Sequence, residues 1–426
     1  MPLQIRGLVG IDGVMDESQP VDAPEAGPVR RRRVIYVPGY DPFHARKYRE
    51  LYRSESRAQA AISGYSVTVS GREKAEYFGW QVAAEIEGTE VETEVVLLAW
   101  SDIVKESMER GLWQTYLQML RTIWTYSNSG ALRGVLRLNK GPVIGAFYPV
   151  VFLVLQLLFA LAVASGIGWA IAQVAPLWMG LAGLVVVAPT LRWFARHDNL
   201  VLARYLLHTF AFSCVSGGAY PQALEARMAA FERVIAEALE ADVDEVLVVG
   251  HSLGAHVAIS MLSDLIRAGK HRPDGPVLSL LTLGHVIPMV SLLPGAARLR
   301  ADLNFLSASE ALCWVDVTAP GDGCTFALTD PASVSGVAPE NQRWPLILSA
   351  AFSQTLSPER WKALRWRFYR LHFQYLCAFD RPNDYDYFRI TAGPKTLCQR
   401  LGHRKPSPGV KRQCVSKQTS MELRDV

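Results

Sequence analysis

Between residues 34 and 391, short apolar runs alternate with longer stretches whose apolar residues recur at helical spacing, the pattern of an α/β domain with a largely parallel sheet. Runs at 34–37, 94–100, 246–249, 277–283 and 312–318 predict strands, and 385–391 a last one. Helices are predicted over 43–60, 221–239 and 253–268, the last two bracketing the third strand. One stretch breaks the alternation. From 141 to 191 there is no Asp, Glu, Lys, Arg or His, room for two spans of about 20 residues each.

The spans predicted are 143–163 and 169–189, with the small residues of 164–168 (ASGIG) as the reversal between them. Arg121, Arg133, Arg137 and Lys140 precede the first span, and Arg192, Arg196 and Arg204 follow the second, while the reversal carries no positive charge. By the positive-inside bias both flanks face the cytoplasm. A hairpin that crosses the bilayer and one that dips into a single leaflet satisfy the pattern equally, and a buried helical hairpin is the soluble alternative. Residues 1–20 contain acidic side chains and no continuous apolar core, unlike a secretory signal. The chain divides into a tail (1–33), an α/β domain in two pieces (34–104 and 200–394), an insertion carrying the hairpin (105–199) and a basic, loosely ordered tail (395–426). Arg30 to Arg33 form a basic run that either touches anionic headgroups or leads into the first strand.

Composition narrows the function classes. The 426 residues are 50% hydrophobic and 20% charged, which excludes general disorder. A formal net charge of +4 is far below that of a protein coating nucleic acid. The six cysteines, Cys214, Cys313, Cys324, Cys377, Cys398 and Cys414, are scattered without a CxxC pair, so they read as thiols in a reducing compartment with no metal site. There is no G-x-x-x-x-G-K-[ST] loop, no G-x-G-x-x-G turn and no H-E-x-x-H pair.

The strand at 246–249 runs into Gly250, His251, Ser252, Leu253 and Gly254, a G-x-S-x-G string followed by an amphipathic helix. A sharp strand-to-helix turn strains the serine backbone and lifts its hydroxyl clear, and the two glycines remove side chains that would strike neighbouring backbone. The new helix brings free N–H groups and the positive end of its dipole close to the serine. With this context, VDEVLVVGHSLGAHVAISML resembles the α/β-hydrolase superfamily, and GHSLGAH its lipase and esterase-like members. The resemblance spans roughly 34–104 and 200–391, leaving the hairpin and both tails outside. It implies an α/β-hydrolase fold, a mostly parallel sheet flanked by helices, carrying an inserted hydrophobic helical hairpin.

The resemblance also implies an acid and then a histidine after the serine. Asp322, in the turn APGDG after the strand at 312–318, is the acid proposed, with Asp316 inside that strand the alternative. His372 and His403 are the two histidines that follow, and His372 is favoured. His251 and His256 flank the elbow in supporting positions, and His285 is a candidate pocket residue. The oxyanion donors implied are the backbone N–H groups of Leu253 and of Tyr40, in a Pro38-Gly39-Tyr40 loop resembling the family's H-G loop. Arg360, Trp361, Lys362, Arg365, Trp366, Arg367, Phe368, Tyr369 and Arg370 interleave cations with aromatics just before His372, and on a helix they suit a headgroup interface or snorkelling over apolar packing. The expectation is a membrane-anchored serine hydrolase, cofactor-free, acting on a lipid or small acyl ester or thioester, with a non-catalytic membrane scaffold as the rival. Partners expected are the lipid bilayer and the substrate, not nucleic acid.

Overall fold

The apolar runs pair into one sheet. In the computed structural model, which describes residues 27–73, 75–109 and 111–422, the strands are β1 (Arg31–Val37), β2 (Ser66–Gly71), β3 (Gly79–Ile86), β4 (Thr89–Leu97), β5 (Glu245–His251), β6 (Val277–Leu283), β7 (Cys313–Thr318) and β8 (Leu346–Ser349). Their order is β2-β3-β4-β1-β5-β6-β7-β8. All pairings from β4 across to β8 are parallel, and β2 and β3 extend the β4 edge antiparallel. Every residue of β5 is buried, as a central parallel strand covered on both faces requires. β3 alternates buried and exposed positions like a strand with one wet face.

The first ten α-helices are α1 (Arg46–Ser63), α2 (Ser101–Met108), α3 (Leu112–Asn128), α4 (Ala131–Leu138), α5 (Lys140–Ala172), α6 (Val187–Arg196), α7 (Asp198–Val201), α8 (Ala203–Ser213), α9 (Gln222–Glu240) and α10 (Gly254–Arg267). A 3-10 helix, Leu177–Val186, runs into α6. Both apolar helices lie in the single connection between β4 and α9, and each is long and apolar enough to cross a membrane.

Five expectations need correction. Residues 164–168 do not turn: α5 continues through them to Ala172, and the chain reverses over 173–176. Their small side chains serve close packing instead, since a Cβ on Gly168 would strike the backbone of Gly180, and one on Gly183 that of Ala164 and Gly168. Residues 385–391 are no strand; Tyr387–Ala392 is a helix, because the Asp386 carboxylate accepts from Phe388 N at 3.0 Å and Arg389 N at 3.1 Å. The sheet ends on β8 instead. Arg31, Arg32 and Arg33 belong to β1 rather than to a tail, and Arg32 is fully buried against Glu245 at 2.6 Å, also donating to the Gly393 and Lys395 carbonyls. Arg31 and Arg33 pair with Asp242 and Glu94, so three of the four cations are neutralised within the fold. The remainder of the predicted N-terminal tail, 1–26, lies outside the described residues.

The C-terminal segment is also packed rather than loose. Leu397 and Leu401 are buried, Ser407 N donates to Ile347 O beside β8, Lys411 bridges to Thr329, and Val415 N donates to Val334 O. Its order comes from backbone hydrogen bonds to the core, which leave no apolar period in the sequence. Lastly, the cation and aromatic stretch is not one helix. It breaks between Pro358–Leu364 and Phe368–His372, with Trp361 against Gly321 and Phe368 against Gly323.

Candidate functional site

Ser252 sits between the end of β5 and the start of α10 with φ at +57°, a left-handed conformation that non-glycine residues adopt only when the surroundings hold them there. The reasons are local. A Cβ on Gly254 would strike the carbonyl oxygens of Val37 and Pro38, and one on Gly250 would lie 2.7 Å from Ala255 Cα, so neither site admits a side chain. Ser252 N donates to Leu283 O at 2.9 Å, tying the turn to β6. Gly39 passes so close that an added Cβ would lie 2.8 Å from Ser252 Cβ and 3.3 Å from its Oγ. The Pro38-Gly39-Tyr40 loop is thus brought against the serine. Tyr40 is held there by Tyr205 of α8, whose hydroxyl donates to Tyr40 O at 2.5 Å. Leu253 is buried at the first turn of α10.

The structure pairs His372 with Asp322 and not with Asp316. His372 Nδ1 and Asp322 Oδ2 are 2.7 Å apart, both buried. The carboxylate accepts, so Nδ1 is the donor, and in a neutral ring that leaves the lone pair a base needs on Nε2. Asp322 also accepts from Cys324 N at 2.9 Å and from the Tyr375 hydroxyl at 3.1 Å. His403 is exposed. Asp316 lies within β7, bonded to Thr282 Oγ1 at 2.6 Å, and burial pushes its carboxyl up to about 8.

The histidine pair next to the elbow fixes the geometry further. His251 Nε2 lies 3.0 Å from His372 O, and since a carbonyl only accepts, His251 donates. Burial above all pushes His251 down to about 3, so it stays neutral. The His251 and His372 rings are 4.8 Å apart, which places the Asp322–His372 pair beside the elbow. His256 is neutral by burial too and stacks on Tyr220. His285 is buried, bonded to Thr329 O and Ile287 N, and so belongs to the core rather than to a pocket wall. Among the described residues none hydrogen-bonds the half-buried Ser252 hydroxyl. No hydrogen bond therefore joins Ser252 to His372 in this geometry.

Sequence reasoning missed three contributors. Tyr375 and Tyr205 orient Asp322 and the Tyr40 loop, and nothing in the local pattern marks them. Gly284 carries φ +54°, and a Cβ there would lie 2.7 Å from the Tyr375 ring and 3.2 Å from His372 Cε1. Its position just after β6, whose end holds Ser252 N, is the signal that could have found it. Asp322, Cys324 and His372 place one donor atom each within 4.8 Å of one another. Burial and the Asp322 charge push the Cys324 thiol well up. No family model, curated protein or solved structure matches the chain.

Proposed function

We propose that the protein is a membrane-anchored serine hydrolase of α/β-hydrolase type that cleaves carboxylic ester or thioester bonds of a lipid or acylated amphiphile at the cytoplasmic face. The observation that carries the reading is the strained Ser252 elbow beside a buried, hydrogen-bonded His372–Asp322 pair. In this mechanism Ser252 Oγ attacks the acyl carbonyl as His372 Nε2 takes its proton, and Asp322 stabilises the imidazolium. The N–H groups of Leu253 and Tyr40 meet the developing oxyanion. Collapse breaks the acyl–oxygen or acyl–sulfur bond, and His372 returns the proton to the leaving alcohol or thiol. Water, deprotonated by the same nitrogen, then attacks the acyl-serine and restores the enzyme. The apolar helices support the lipid-like substrate, because the Gly141 end of α5 lies directly against Gly323, next to Asp322.

The test is labelling of isolated membranes with a fluorophosphonate probe. Labelling of the native protein that disappears in Ser252→Ala at equal expression supports the reading. No labelling of folded native protein favours a non-catalytic scaffold, a reading to which the unbonded Ser252 hydroxyl lends its one support.

A further inference from the structure

A cavity of about 1050 Å³ opens between α3 and the end of α8. Leu117, Leu120, Ile123 and Trp124 of α3 line one wall, and Ala211 and Val215 the other. Its lining is predominantly apolar, yet it is open to the outside. The same helix exposes Trp113 (68%), Leu117 (47%), Leu120 (60%) and Trp124 (70%), spaced to form one stripe. A soluble protein that leaves a stripe of this kind bare normally covers it with something.

The position of α3 says what covers it. Its N-terminal half packs on the hairpin: the Tyr116 hydroxyl donates to Leu153 O at 3.1 Å, Met119 joins Leu153 and Leu207 in one apolar cluster, and Leu112 packs against the cluster of Ala160, Ala164, Val187 and Leu191. Its C-terminal half is anchored in the α/β domain by the Tyr126 hydroxyl, which donates to Met289 O at 2.8 Å. On α5 the exposed large apolar residues begin at Ile144, more than two turns before Leu153. The level at which α3 crosses the hairpin is therefore already a level of outward-facing apolar side chains. Arg121 is the only charged residue in α3, it borders the cavity, and among the described residues it has no carboxylate partner.

We propose that this groove holds the acyl chains of a bilayer phospholipid, with the phosphate at Arg121, so that α3 is a lipid-facing element beside the hairpin. The proposal rests on the membrane anchoring stated above. Both the hairpin and the α3 helix packed on it expose large apolar side chains, which favours lipid over a protein partner. A cation at the rim suits a headgroup phosphate.

The experiment reconstitutes the full chain into vesicles of phosphatidylethanolamine and phosphatidylglycerol containing a trace of phosphatidylglycerol with a diazirine in one acyl chain. After irradiation, cross-linked peptides are mapped by mass spectrometry. Cross-links in both α3 and 211–217, at a density comparable to those in the hairpin, are the expected result. Leu120→Glu, at an already exposed position, is expected to lower the α3 cross-links about fivefold or more, because a carboxylate is disfavoured in the acyl region, with the hairpin cross-links unchanged. Cross-links in the hairpin alone overturn the lipid groove and leave the anchor standing. Absence of cross-links from the hairpin as well overturns the anchoring itself.

Discussion

At Ser252 the backbone is held at φ +57° by close contacts on three sides, from Gly39, from the Gly254 turn and from the bond to Leu283. Strain of this kind, on the order of 1–3 kcal/mol per residue, persists only where the surroundings over-determine it. The same economy of space operates at Gly284. Gly284→Ala places a Cβ in a left-handed backbone and against His372 and Tyr375, so the variant is expected to lose about 1–2 kcal/mol of stability from the backbone alone. Its fluorophosphonate labelling rate should fall more than that of a Gly88→Ala control, which is also left-handed at φ +73° but meets nothing within 4 Å. Equal rates would remove Gly284 from the site. Asp316 and Asp322 show how burial sorts two nearby carboxyls into different roles. Asp322 accepts three hydrogen bonds, including that of His372, while Asp316 has one from Thr282 and an Oδ2 with no hydrogen bond, 3.7 Å from His285 Nε2. Raised to about 8 from an ordinary 3.8, Asp316 keeps in the folded state a proton that the unfolded chain releases near pH 4. Its contribution to stability is thus fully present below the unfolded value and is lost as pH rises through about 8. Asp316→Asn is expected to flatten the fall in thermal midpoint between about pH 5 and 9 while leaving Ser252 labelling intact. A midpoint that falls as steeply as the parent's would show that Asp316 does not control the slope.

At the scale of elements, the parallel core was legible because strands buried on both faces leave continuous apolar runs, as in β5 and β6. β2 and β3 were not, since edge strands with one wet face mix polar and apolar residues. The start of β1 was hidden for a different reason. Its arginines read as a solvated leader, and only the Glu245 carboxylate on the neighbouring strand, completed by Ser279 Oγ and Leu397 N, makes Arg32 a buried residue. Arg32→Met leaves Glu245 an uncompensated buried charge and is expected to cost about 3–5 kcal/mol in chemical denaturation. A loss below about 1 kcal/mol would mean that water reaches the pair. In the hairpin, the small residues of 164–168 suggest a turn, whereas Ala160, Ala164 and Gly168 lie four residues apart on one face of α5. The same small residues suit a turn or a close helix crossing, and the partner helix determines which is realised.

For the whole molecule, the α/β domain and the hairpin meet where α5 begins. Gly141 lies against Gly323 and Asn139 bonds to the Ala327 carbonyl, so the acid loop and the first apolar helix share one foundation. A deletion that spares this foundation, removing 154–186 and joining the ends with a flexible linker, is expected to move the protein out of carbonate-washed membranes with Ser252 labelling retained. Persistence in the membrane pellet would defeat the hairpin as anchor. From the sequence alone followed the alternating α/β architecture, the uncharged stretch at 141–191 and the G-x-S-x-G string around Ser252, each written in contiguous residues, and Asp322 and His372 followed as candidates from the chain order that the resemblance implies. The tertiary structure alone decided that His372 and not His403 meets Asp322, that Tyr375 and Gly284 shape that meeting, that Arg32 is core, and that the C-terminal segment is bound to β8. Those outcomes depend on contacts between residues far apart in the chain, and distance in space leaves no period or spacing for a sequence to display.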